Sequence, residues 1–262
     1  MTSVKGTVAW IHVAPIKALA VQQLHEVRVE LGGVVDDRRF CIVDGEGRML
    51  NAKRVNAFVA VRPEFDDAMH RLTLHLAGGR SVSAPVALGE PVSVSIYGRH
   101  EPARAVDGPF GETLSGIAGQ PVRLVRFDEA GAGVDRAESG GAASLLAVAS
   151  LDALAEAAGS DAPVDPRRFR MLFGVAGVPA HAEDTWLGQR VSVGGAVLMP
   201  QGNVGRCAVT TLDPESAVSD LDTLGALGRY RGAQVTTERL PFGVWARVER
   251  AGTVRVGDTV SV

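Results

Sequence analysis

One of the two cysteines in this 262-residue chain stands in the stretch Asn203-Val204-Gly205-Arg206-Cys207-Ala208-Val209-Thr210-Thr211. A thiolate is the nucleophilic and metal-binding form of cysteine, and a neighbouring arginine stabilises it. Arg206, the flexible Gly202 and Gly205, and the hydroxyls of Thr210 and Thr211 make such a setting for Cys207. The local sequence supports two readings equally, a structural cysteine and a thiolate ligand or nucleophile. Cys41, inside the apolar run RFCIV, reads as a buried, inert thiol. In RRFRML, Arg168 and Arg170 lie two apart. On a strand their guanidinium groups share one face, where they repel unless an anion or carboxylates such as Glu183 and Asp184 lie between them. Lys17 in APIKAL and Arg38 in DDRRF are two further cations, and taken singly each reads as a surface residue.

Other chemistries lack their residue patterns. The six histidines form no HxH or HExxH spacing, and no GxSxG elbow, Walker loop or dinucleotide fingerprint occurs. Two cysteines build neither a disulfide framework, a four-cysteine zinc site nor a conventional iron–sulfur cluster. A net charge of −3 gives no footprint for nucleic acid. The most apolar window, 140–159, is interrupted by Asp152 and Glu156 and does not span a membrane, and the first residues lack a secretory h-region. The expected location is cytoplasmic.

The elements that must position these residues are mainly β. Alternation of apolar and polar side chains marks half-buried strands in VAWIHV (8–13), EVRVEL (26–31), RFCIV (39–43), RLTLHL (71–76), PVSVSIY (91–97), FGVWARVER and TVRVGDTVSV. Short, regularly spaced strands of this kind suit a barrel or sandwich. SLLAVA reads as a buried strand, followed by a short helix over LDALAEAAG with Ser150 as its N-cap. The polar, glycine-rich segment 128–141 reads as a linker or mobile loop at a domain boundary. Two domains follow, residues 1–125 and 126–262.

In order, VAPIKAL, GGVVDDRRFCIVDGEGRMLNAKR, LLAVASLDALAEA, RRFRMLFGVAG, EDTWLG, GRCAVTTLDPES and GVWARVERAGTVRVGDTV resemble the MOSC family, the domain named after the C-terminal part of molybdenum-cofactor sulfurase, with its N-terminal β-barrel partner. The likeness covers nearly the whole chain, and its most specific part is Arg-Cys-x-x-Thr-x-Asp-Pro. It implies a β-barrel MOSC domain at 126–262, a barrel-like N-terminal domain at 1–125, and the molybdenum cofactor bound between them. It implies Cys207 as the thiolate ligand of molybdenum, with Lys17, Arg38, Arg168 and Arg170 holding the pterin and its phosphate, Ser150 assisting from its helix start, and Arg206 beside the thiolate. Arginines and helix N-termini are natural phosphate clamps, and a soft thiolate suits such a metal.

The implied reaction is two-electron reduction of an N-oxygenated compound. Asp213 and Asp220 are candidates for the acid that supplies protons, each equally suited to capping a turn. With no flavin or nicotinamide fingerprint, the electrons must come from an external ferredoxin- or cytochrome-like partner. A sulfur carrier using a Cys207 persulfide and a non-catalytic carrier of the cofactor are the alternatives. The sequence departs from the family pattern in two places. Met171 and Leu172 replace Pro-Asn after Arg-Phe-Arg, and Ala18 replaces the common Ser after the lysine, which removes hydrogen-bonding capacity near the pterin site.

Overall fold

A computed structural model describes residues 5–136 and 140–262. Its centre is a closed barrel of seven strands, in the order Phe173–Ala176, Ala143–Ala147, Pro241–Arg250, Ala196–Gly205, Val191–Val193, Thr259–Ser261 and Lys5–Val13, the last pairing back to the first. All neighbours are antiparallel except Ala143–Ala147 with Phe173–Ala176. A parallel pair requires a crossover, and helix α2, Ala149–Ala158, begins it. The inward residues are the apolar members of each alternation: Val8 and Ile11, Leu145, Phe173 and Val175, Val191 and Val193, Leu198, Val244 and Ala246 form one buried cluster.

The N-terminal part stacks a four-stranded sheet (Phe40–Val43, Arg123–Phe127, Arg99–Asp107 and Ala87–Ile96) near the three-stranded meander Arg62–Asp66, Arg71–His75 and Ser81–Pro85. Phe40, Ile42, Phe58, Leu72, Leu74 and Leu124 share a core with Phe110 and Leu114 of helix α1, Phe110–Ala118. A third helix, α3 (Thr223–Arg231), is capped by the Asp222 carboxylate, which accepts from the Gly225 N–H at 2.9 Å. Among the described residues the fold is thus mainly β with three α-helices.

Two strands of residues 1–125 pair across the division expected after residue 125. Strand Lys5–Val13 closes the barrel, and Glu26–Glu30 pairs with Gly252–Arg255 near the chain's end. The two parts are therefore interlocked by backbone ladders as well as by side chains. The glycine-rich segment 128–141 is packed against the fold over its described residues. Arg99 Nη2 donates to the carbonyls of Ala132 and Val134 at 3.3 and 3.0 Å, and a Cβ on Gly133 would collide with the backbone oxygen of Arg38. Its residues 137–139 lie outside the described part.

Candidate functional site

Between the two parts lies a cavity of about 450 Å³, within the roughly 300–1,000 Å³ range of small-molecule sites. Lys17 and Arg38 enter it from adjoining backbone: the Lys17 N–H donates to the Phe40 carbonyl at 2.8 Å and the Arg38 N–H to Ala14 at 2.7 Å. The buried Lys17 ammonium donates to the Gly133 carbonyl at 2.9 Å, pairs with the Asp135 carboxylate, and lies 5.3 Å from the centroid of the Tyr97 ring. Burial lowers the Lys17 pKa, and Asp135 opposes the shift. Desolvation pushes the Asp135 carboxyl up, although 63% of its side-chain surface is exposed, and the charges of Lys17, Arg38 and Arg170 bring it down to about 2. Arg38 pairs with the buried Asp37, whose other oxygen accepts from the Ala14 N–H.

Arg168 and Arg170 do not lie on a strand. Asp165 caps and Pro166 opens a 3-10 helix, Pro166–Phe169, which ends at Arg170 in the left-handed conformation. The turn sends the two guanidinium groups to different partners. Arg168, its side chain 6% exposed, meets both oxygens of Asp220 at 2.7 and 2.8 Å and lies 3.7 Å from Asp213. These carboxylates, in place of the expected Glu183 and Asp184, partner its two Nη atoms, while its Nε is buried with no hydrogen bond among the described residues. Arg170 donates to the Leu19 carbonyl, and its Nη2 is buried with no hydrogen bond among the described residues. Burial and the charge of Arg38 lower its pKa to about 10.

Strand Ala196–Gly205 carries Cys207 to the cavity just beyond its end. Gly202 makes that approach possible, because a Cβ there would lie 2.8 Å from Trp245 Nε1. Arg206 is turned into the protein: Nε donates to the Phe242 carbonyl and Nη1 to the Phe169 carbonyl, both at 2.9 Å, and Nη2 reaches Met171 Sδ at 2.8 Å. Burial lowers its pKa to about 9. It therefore fixes the backbone that presents the thiol. Thr210 does the same from the other side, donating to the Cys207 carbonyl at 3.0 Å and bonding Thr223 at 2.7 Å. The half-buried Cys207 thiol makes no hydrogen bond among the described residues.

Lys17, Arg38, Arg168, Arg170, Arg206 and Cys207 thus line one cavity, although Arg168 and Arg206 direct their charges to protein partners. Three expected site residues are elsewhere. Ser150 is not the N-cap, which is Val148; it is fully buried, and its hydroxyl accepts from the His181 N–H at 2.8 Å. Asp213 and Asp220 are outside the lining and pair with Arg168, and Asp213 also caps its own turn through Ser216. Neither carboxylate is placed to deliver a proton in the cavity.

Two lining residues carry no signal in the sequence, Asp135 and Tyr97. The Tyr97 hydroxyl is held up at about 12 by burial and by the charges of Asp135 and Cys207. A further feature is in the backbone. Of nine non-glycine residues with positive φ among the described residues, Ala18, Arg38, Tyr97 and Arg170 line this cavity. Such conformations are costly and gather at ligand sites.

Residues 135–261 match the model of the MOSC domain, and residues 5–107 that of the MOSC N-terminal beta barrel domain. The chain belongs to the MOSC family. It is 27% identical over 97% of its length to mitochondrial amidoxime-reducing component 1 of Mus musculus, covering 82% of that protein. It is 26% identical over 97% of its length to the protein of the same name from Xenopus laevis, covering 81% of it. The crystal structure of YuaD from Bacillus subtilis aligns with 99% of this chain and 96% of its own, at 12% identity and a TM-score of 0.46.

The MOSC family is associated with the molybdenum cofactor, and the cavity of this member has donors suited to such a group. No cluster of three His, Cys, Asp or Glu among the described residues could hold a metal by itself. A metal that brings sulfur ligands of its own can be held by a single protein sulfur, and the half-buried Cys207 lines the cavity. The buried, unpartnered Arg170 Nη2, beside Lys17 and Arg38, matches an anionic group on the same ligand. Met171 and Leu172 form an apolar wall, with Met171 sulfur occupied by Arg206. Among the described residues no helix is long and apolar enough to cross a membrane.

Proposed function

We propose that this MOSC chain binds the molybdenum cofactor in the cavity between its two parts and reduces N-oxygenated compounds with electrons from an external donor. The observation that carries this reading is the convergence of Cys207 with Lys17, Arg38 and Arg170 on one cavity, from segments nearly two hundred residues apart in sequence. The cofactor, when bound, supplies the two-electron chemistry. The chain's own residues hold and orient it: the Cys207 thiolate as metal ligand, and the three cations as partners for phosphate and pterin oxygens. The resemblance to amidoxime-reducing components supports N-hydroxylated substrates. The apolar wall of Met171, Leu172, Phe169 and Trp245 suits the uncharged part of such a molecule. A sulfur carrier needs its thiol presented to a partner protein, whereas Cys207 is half-buried and faces a cationic cavity.

The test is molybdenum per chain, by elemental mass spectrometry, in protein purified from a host that makes the cofactor. Near-stoichiometric metal in the wild type, its loss or an altered electronic spectrum in Cys207→Ser, and amidoxime reduction with a reduced viologen are expected. A folded wild-type protein without metal would refute the reading, and one sulfur of added mass on the Cys207 peptide would favour the persulfide carrier.

A further inference from the structure

Asp135 occupies the place where an anionic ligand would go. Its carboxylate pairs with the Lys17 ammonium, and it lines the cavity with Arg38, Arg170 and Cys207. The pairing spans 118 positions of sequence and is made by a segment that is itself fastened down, through Arg99 to the Ala132 and Val134 carbonyls and through Lys17 to that of Gly133. On its other side Arg136 pairs with Glu238 and lies over the Trp245 ring at 5.2 Å. The carboxylate is therefore held against the cations by bonds on both flanks.

We infer that Asp135, whose side chain stays 63% exposed while it pairs with the buried Lys17, is a built-in counter-ion that sets the charge specificity of the Lys17–Arg38–Arg170 cradle, so that a ligand enters by displacing it and a dianion is selected over a monoanion. Three cations face two carboxylates there, and the second, Asp37, is committed to Arg38 and the Ala14 N–H. A monoanion that replaced Asp135 would exchange one negative charge for another, after giving up its hydration, with little gain. A phosphate monoester dianion brings one charge more than the carboxylate it expels and three oxygens, enough to serve Lys17 and the unpartnered Nη2 of Arg170 together. Without any ligand the exchange runs the other way. A buried ammonium with no counter-ion is costly, and Asp135 keeps Lys17 charged until a ligand takes over. This inference rests on the cavity being the anion-binding site of the proposed function.

The probes are inorganic phosphate at pH 8 and nitrate, titrated calorimetrically into the cofactor-free full chain, its Asp135→Asn variant and its Arg170→Gln variant. Phosphate is expected to bind the wild type, to bind Asp135→Asn at least ten-fold more tightly, and to bind Arg170→Gln more weakly; nitrate binding is expected in Asp135→Asn alone. Phosphate should also raise the melting temperature of Asp135→Asn more than that of the wild type. In the wild type, saturating phosphate should speed hydrogen exchange of the Ala132–Arg136 amides, a readout that needs no variant. Phosphate binding of equal strength with and without Asp135, or unchanged exchange in the wild type on saturation, would overturn the displacement while leaving the anion site and the proposed function standing. Phosphate binding to none of the three, or equal binding to wild type and Arg170→Gln, would overturn both the displacement and the cradle on which the proposed function depends.

Discussion

Glu183 is fully buried in the 3-10 helix Ala182–Trp186, and neither of its carboxyl oxygens has a hydrogen-bonding partner among the described residues. Burial pushes its pKa from 4.5 to about 7; the nearby N–H groups of Glu183 and Ala147 temper the rise without meeting hydrogen-bond geometry, and the charge of Asp184 adds to it. The native protein therefore keeps a proton that the unfolded chain releases. The stability that goes with this proton is whole below pH 4.5 and is lost as pH rises through about 7. At about 1.4 kcal/mol per pH unit, the gap between 4.5 and about 7 amounts to about 3 kcal/mol above pH 7. Glu183→Gln keeps the shape and cannot ionise. At pH 8.5 it is expected to be about 3 kcal/mol more stable than the wild type, with a melting temperature roughly 6 °C higher, and at pH 5 the difference should shrink below about 1 kcal/mol. Urea unfolding and calorimetry of both proteins at the two pH values measure it. A Glu183→Gln variant no more stable than the wild type at pH 8.5 would show that the carboxylate is ionised and partnered, and that the reasoning is wrong.

Asp220→Ala leaves the Arg168 guanidinium buried without its bidentate partner; it is expected to cost about 2 kcal/mol and about 4 °C in melting temperature while phosphate affinity stays unchanged. Unchanged stability with lost binding would return Asp220 to the ligand site. Iodoacetamide at pH 8 should modify Cys207 in the native protein and Cys41 only after unfolding, read by peptide mass spectrometry, because burial pushes the Cys41 thiol up to about 12. Gly133→Ala places a methyl group against the Arg38 backbone oxygen, which cannot rotate away; a loss of about 2 kcal/mol in urea unfolding is expected.

The β framework was legible because each strand buries one face. The alternations at 8–13, 26–31, 39–43 and 71–76 all fall on observed strands; the last three differ from them by one residue at an end, and the first strand begins three residues earlier, at Lys5. Helix α3 was not, since Gly225 and Gly228 inside it weaken both its propensity and its apolar stripe, and the cap at Asp222 is its main local signal. RRFRML has a strand's alternation, but Asp165-Pro166 just before it is a helix-start signal, and that local chemistry decided the backbone. The difference matters for function, because a strand would aim Arg168 and Arg170 the same way.

The site divides along the same line. Lys17, Arg38, Arg170 and Cys207 are cations and a thiol whose kind suggests ligands before any contact is known. Asp135 and Tyr97 gain their roles entirely from partners far away in sequence, Lys17 at a separation of 118 among them. The backbone adds an observation that residue types do not contain. Ala18, Arg38, Tyr97 and Arg170 are held in left-handed conformations by four separate segments, and each borders the same space. An unfavourable conformation persists where surrounding contacts over-determine it, as the Ala14 carbonyl does for Arg38 and the Pro166–Phe169 turn does for Arg170. Two of the four, Arg38 and Arg170, are cations of the cradle, so the backbone helps to fix their place before a ligand arrives. Preorganised charge costs little to reorganise on binding, so a ligand that replaces the Asp135 carboxylate meets cations already in position.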